Sequence, residues 1–189
     1  MDERPEDLLV EAARQGGREA FAELVRRHRH RVYGLVFRMA GNHSDADDLA
    51  QEVFLTAWRS IASFKRGSSF YTWLYRIAVN ASLTFLKKRS REKARVEFSE
   101  NLAGAAGTGS SSPEGSSALG ELQARADEAI AALPGHFRAS FVLVVGEGLS
   151  HAEAARVLGC SENTVSWRMH KARKLLQARL KPYLGEVRP

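Results

Sequence analysis

The chain has 189 residues, 44% of them hydrophobic, a single cysteine and a formal net charge of +6 at pH 7. That apolar content is enough to build cores and excludes a disordered polymer, no apolar run approaches the roughly 20 residues of a bilayer helix, and one cysteine excludes an internal disulfide. The start, MDERPEDLL, is acidic where a secretory signal is basic and then apolar, so a cytoplasmic protein is expected. Charge is unevenly placed: +8 over residues 21–98 and +3 over 121–189, against −3 over 1–20 and −2 over 99–120. Two positive blocks separated by a weakly acidic stretch fit two modules that each touch a polyanion.

In chain order, a first helix is predicted over 5–15, opening at Pro5 and stopping at the Gly16-Gly17 pair. Phe21, Leu24, Val25, Val32, Leu35, Val36 and Met39 then mark a long amphipathic helix ending near Gly41. The next begins at Ser44, with Leu49, Val53, Phe54, Ala57, Trp58 and Ile61 at three- and four-residue steps. Asp45, Asp47, Asp48 and Glu52 crowd its N-terminal turns, where the helix dipole favours anions. After Lys65-Arg66-Gly67, the run FYTWLYRIAVNASLTFLKKRSREK makes a fourth helix. Its Trp73, Leu74, Ile77, Ala78, Ala81 and Phe85 face inward, and Arg76, Asn80, Thr84, Lys87 and Arg91 fall along another side.

Residues 99–120 are dominated by Gly, Ser and Ala and hold no cation, the composition of a flexible linker. Beyond it, helices are expected near 121–133 and 137–147, divided by Leu133-Pro134-Gly135. FVLVV (141–145) is β-branched enough for a buried strand, but a lone strand has no partner in an otherwise helical module, so helix is preferred.

Residues 150–174 read as a helix-turn-helix. Ser150 caps a first helix with Glu153 completing a capping box, Gly159 ends it, and Ser161 caps a second whose Val165, Met169, Ala172 and Leu176 recur at helical spacing. Thr164, Trp167, Arg168, Lys171 and Lys174 are left on the other face, where a DNA major groove would lie. The residues alone therefore predict an all-α chain: two small helical domains, 1–98 and 121–189, joined by the flexible linker 99–120, the second carrying a helix-turn-helix.

The six histidines suggest no metal site. His28 and His30, two apart on one helix, point in different directions, and the others are scattered without cysteine partners at zinc spacing, so they are expected at the surface or at caps. There is no phosphate loop or nucleophile elbow, so no catalysis, cofactor or small-molecule substrate is expected.

Taken together, DADDLAQEVFLTAW (45–58), FYTWLYRIAVN (70–80) and ENTVSWRMHKARKLL (162–176), in this order around a variable linker, resemble the extracytoplasmic-function sigma factors, the smallest members of the sigma-70 family of bacterial transcription initiation factors. The resemblance implies that Asp45, Asp48, Gln51 and Glu52 bind core RNA polymerase. It implies that Phe64, Lys65, Arg66, Ser68, Ser69 and Tyr71 shape a pocket for a base of the minus-10 promoter element. Arg76, Asn80, Thr84 and Lys87 would line the displaced strand, with Lys88, Arg89 and Arg91 on phosphates. The minus-35 element falls to Ser161, Asn163, Thr164, Trp167, Arg168, Lys171 and Lys174, where a tryptophan at 167 departs from the small polar residue more usual there. Promoter DNA, core polymerase and an anti-sigma factor are the partners implied, with no insertion into a membrane. The alternative from the residues alone is a stand-alone helix-turn-helix regulator that binds duplex DNA without polymerase.

Overall fold

The computed structural model describes residues 4–65, 67–103 and 118–184, and among these every regular element is helical. The helices are α1 (Glu6–Arg14), α2 (Arg18–Ala40), α3 (His43–Ser60), α4 (Phe70–Ala103), α5 (Ala118–Ala131), α6 (Gly135–Phe141), α7 (His151–Leu158) and α8 (Glu162–Leu184). A 3₁₀ turn over Ile61–Ser63 follows α3, and α6 runs on as a π-helical turn over Val142–Gly146.

Boundaries follow local chemistry. Pro5 leads into α1, whose first turn carries Glu6 and Asp7, and Gly41 closes α2 at φ 88, a conformation that disfavours any residue with a Cβ. The third helix starts earlier than the expected Ser44. Asn42 caps it, accepting from the Asp45 backbone N–H, because an asparagine in extended backbone reaches that donor. The fourth helix continues to Ala103, into the stretch read as linker, through residues such as Glu100, Leu102 and Ala103 that favour helix. Ala118 opens α5 at the other end of that stretch. Of the rest, residues 104–117 lie outside the described residues.

In the N-terminal module α2, α3 and α4 pack on one another through Leu24, Val32, Leu35, Leu49, Val53, Leu74 and Ala78, and α1 adds Leu9, Val10 and Ala13. Each of these apolar positions recurs at helical spacing, which puts them on the buried stripe of its helix. One histidine departs from the surface or cap position expected of all six. His30 is exposed, but His28 is buried in this core, its Nε2 2.8 Å from Glu6 Oε2 and its ring edge-on to Phe70. A buried polar ring is tolerated where it gains such a partner.

In the C-terminal module, α6, α7 and α8 enclose Ala139, Val142, Leu143, Ala154, Val157, Val165 and Met169. FVLVV is helical, as a lone segment with no strand to pair with should be. A smaller cluster of Ala129, Leu133, Ala172 and Leu176 joins α5 to α8.

The two modules touch. Buried apolar residues run without a break from α1 to Met169, so the modules share one core. Arg138 of α6 is buried and donates to the Met39 carbonyl at the end of α2; burial, helped by the charge of Arg89, pulls its guanidinium down to about 10. Gly41 and Gly135 sit where the modules approach: a Cβ at 135 would lie 3.1 Å from Leu83.

Candidate nucleic-acid interface

The helix-turn-helix is built by caps. Ser150 Oγ accepts from the Glu153 backbone N–H at 3.2 Å while the Glu153 carboxylate accepts from the Ser150 backbone N–H at 2.9 Å, a complete capping box. That hydrogen bonding, to Ser150 side chain and backbone, holds the Glu153 carboxyl below its ordinary range. Gly159 takes the left-handed conformation at φ 62, and Ser161 Oγ accepts from the Thr164 N–H to start α8. With Val165, Met169, Ala172 and Leu176 buried, α8 presents the opposite side to solvent.

On that side stand Ser161, Asn163, Trp167, Lys171 and Lys174, all exposed. Trp167 is 53% exposed yet oriented: Phe137 meets its ring edge-on at 5.6 Å, and the Lys171 ammonium lies 6.0 Å from its centroid. Thr164 and Arg168 sit differently. Thr164 is half-buried against Ser161, and Arg168 is half-buried with Nη1 3.8 Å from Cys160 Sγ, because their helical phase turns them toward the turn between α7 and α8. Two further exposed residues, outside the set expected from the sequence, share the outer face. Ser166 bonds to His151 Nδ1 at 2.8 Å, and His170 follows Asn163 and Trp167 at helical steps. The three- and four-residue spacing from Asn163 would have found both.

The second surface is α4 with the loop before it. Arg76, Asn80, Thr84, Lys87 and Arg91 are exposed in one row, as expected, and Lys88 and Arg89 are exposed beside it. Lys65, Ser68 and Ser69 are exposed in the loop, where Ser69 caps α4 by accepting from Thr72 N–H at 3.2 Å; Arg66 lies outside the described residues. Phe64 does not face the loop's outer side. It is buried against Phe70 and Trp73, so an aromatic ring expected in a base pocket instead packs the core beneath it. Tyr71 is half-buried, its ring 4.1 Å from Tyr75, and burial raises its hydroxyl pKa. A cavity of about 300 Å³ is lined here by Gly67, Ser68, Tyr71 and Thr72 on one side and by Glu153, Arg156 and Val157 of the C-terminal module on the other.

On α3, Asp48, Gln51 and Glu52 are exposed on one face. Asp45 is drawn away from that face, half-buried and bonded to Asn42 and to Arg89 of α4. Leu55 extends the face with an apolar side chain left 47% exposed, out of phase with the buried stripe. Among the described residues no group of three or more His, Cys, Asp or Glu is placed to hold a metal ion, and no helix is long and apolar enough to cross a membrane.

Residues 24–92 match Sigma-70 region 2 and residues 123–176 match Sigma-70, region 4. The chain is 34% identical to the RNA polymerase sigma-H factor of Pseudomonas aeruginosa, over 99% of this chain and 100% of that one. It is 35% identical to the ECF RNA polymerase sigma-E factor of Haemophilus influenzae, over 95% and 97%. Among solved structures, that of CnrH in complex with the cytosolic domain of CnrY aligns with TM-score 0.65 and 28% identity over 94% of this chain and 97% of that one. The sigma factor RpoE in complex with the anti-sigma factor NepR from Bartonella quintana aligns at 0.63 and 27% over 85% and 96%. Two region matches in the order of the two modules, together with full-length relatives, establish that the chain belongs to the sigma-70 family, in its extracytoplasmic-function branch, and is a promoter-specificity factor rather than an enzyme.

Proposed function

We propose a division of labour among three surfaces, with residues 1–98 and 121–189 as the working modules and 99–120 as the connection between them. The α3 face of Asp48, Gln51, Glu52 and Leu55 docks on a basic surface of core RNA polymerase through charge-assisted hydrogen bonds around an apolar contact. The α4 row from Arg76 to Arg91 tracks the displaced strand of the minus-10 element, and the loop of Lys65, Arg66, Ser68 and Ser69 with Tyr71 receives its extruded base. The outer face of α8 reads the minus-35 element: Asn163 and Trp167 reach base edges, while Lys171 and Lys174 meet phosphates.

The observation that carries this reading is the pairing of two separate basic surfaces, on α4 and α8, with an acidic face on α3 that neither DNA strand would attract. Such a chain works beside the polymerase, in the cytoplasm. Its regulator is an anti-sigma factor that covers these faces.

The test is run-off transcription with bacterial core RNA polymerase on promoter fragments of the source genome, with and without the protein. Discrete start sites that need the protein are expected. Specific duplex shifts by the protein alone, with no transcripts, would replace this division of labour with that of a stand-alone regulator.

A further inference from the structure

The C-terminal module sits on the row of α4 assigned above to the minus-10 strand. Arg76 donates to the Arg156 carbonyl of α7 at 2.5 Å, and Tyr71 forms one wall of a cavity closed by Glu153 and Arg156. Further along, Thr84 and Lys87 share a second cavity, of about 430 Å³, with Gly135 and His136. The seated module therefore occupies the Arg76 end of the row and walls the cleft beside Thr84 and Lys87, which narrows the room left for a DNA strand.

One carboxylate spans this seat. Glu147 lies just beyond the π turn, its N–H bonded to the Val142 carbonyl five residues back at 2.9 Å, between Gly146 and the left-handed Gly148. A Cβ at 146 would come within 2.8 Å of Arg38 Nε, so the turn lies close against the Arg38 side chain. The Glu147 side chain is 8% exposed. Its Oε1 pairs with the Arg38 guanidinium and its Oε2 accepts from the buried Tyr75 hydroxyl at 2.7 Å, so both oxygens are held by the other module. Burial and the neighbouring Glu147 together raise the Tyr75 pKa, which keeps that hydroxyl a donor. Glu147 is nearly buried while Arg38 is 37% exposed, so removing either partner leaves the other without its counter-charge at the seat.

We propose that Glu147 is an intramolecular latch: gripped by Arg38 and Tyr75, it holds the C-terminal module closed over the minus-10 face of α4, and the face opens only when that grip is released. The closure itself follows from the contacts; its consequence for DNA rests on the α4 reading given under the proposed function. Closure lowers apparent affinity for a single strand by the open fraction, so a form about nine-tenths closed gains about tenfold when the latch is broken.

The test uses the full chain and its Arg38→Glu variant, which sets two carboxylates against each other at the seat. Small-angle scattering is expected to show a larger radius of gyration, and a fluorescent random-sequence single strand of DNA to bind about tenfold more tightly, although the variant is less positive. The charge-exchanged Arg38→Glu/Glu147→Arg chain is expected to return toward the parent in both readouts. Should Arg38→Glu prove unfolded by circular dichroism, Glu147→Ala, which removes the latch without adding charge repulsion, takes its place. A folded variant with unchanged radius and unchanged strand affinity overturns the latch, as does an exchanged chain that stays as open as Arg38→Glu. Expansion without tighter strand binding keeps the latch and removes the strand path from α4, which separates the two readings.

Discussion

Asp45 on α3 and Arg89 on α4 lie 3.1 Å apart, tying the helix that carries the acidic face to the helix that carries the basic row. Asp45 is half-buried and is bonded to Asn42 as well, so its carboxylate serves the fold, while Asp48 and Glu52 stand clear of it. Reversing charge with Asp48→Lys/Glu52→Lys is expected to weaken core polymerase binding by more than about tenfold, roughly 1.4 kcal/mol. Asp45→Ala is expected to lower the melting temperature and leave that affinity within about twofold. Polymerase pull-down titrations beside thermal melts separate the two, and equal loss of affinity in both variants would put Asp45 back on the docking face.

Trp167 is oriented by Phe137 and Lys171 but remains half-open to solvent, an arrangement that fits a reader of DNA better than a core residue. Trp167→Ala is expected to cost about 0.5–1.5 kcal/mol of stability from the lost ring contact. It should remove run-off transcription from promoters that need the minus-35 element without altering polymerase binding. Arg168→Ala/Lys171→Ala should show the same split. Loss of polymerase binding in either variant contradicts the assignment of α8 to DNA.

The capping box at the start of α7 carries a stability term that can be measured on its own. Ser150→Ala removes the acceptor of the Glu153 N–H and is expected to cost about 1 kcal/mol. Gly159→Ala forces a Cβ into the left-handed region and is expected to cost a similar amount, about 1 kcal/mol. Urea midpoints of the full chain report both. A midpoint unchanged in Ser150→Ala would mean that Glu153 alone holds the helix start.

Acid should weaken the N-terminal module through Glu6. The hydrogen bond from His28 holds the Glu6 carboxyl below its ordinary 4.5, more strongly than burial raises it, and the charges of His28 and Arg27 add to the lowering. A carboxyl with a lowered folded-state pKa contributes stability that is present above its unfolded value and is lost as pH falls through the folded one. Urea midpoints taken from about pH 6 down to about pH 3 should therefore decline more steeply for the parent than for Glu6→Gln. Parallel declines would show that the Glu6–His28 contact carries no such linkage.

Helix positions, the helix-turn-helix and its caps were legible in the residues, because Ser150, Glu153, Gly159 and Ser161 act on backbone groups within a few positions of themselves. The same locality made the α4 row from Arg76 to Arg91 readable, since helical phase alone brings those side chains into line. Phe64, implied for the base pocket by the family resemblance, lies in a loop with no helical period to say which way it faces, and Phe70 and Trp73, brought beside it in space, place its ring in the core. Asp45, Thr164 and Arg168 do lie on helices, but each is half-buried against a neighbour that phase alone does not show: Arg89 for Asp45, Ser161 for Thr164 and Cys160 for Arg168. Two modules, their chemistry and their family were thus properties of the chain itself. That Glu147 meets Arg38 and Tyr75, 109 and 72 positions away, belongs to the tertiary structure alone, because a contact across two domains depends on how shared apolar surface brings them together.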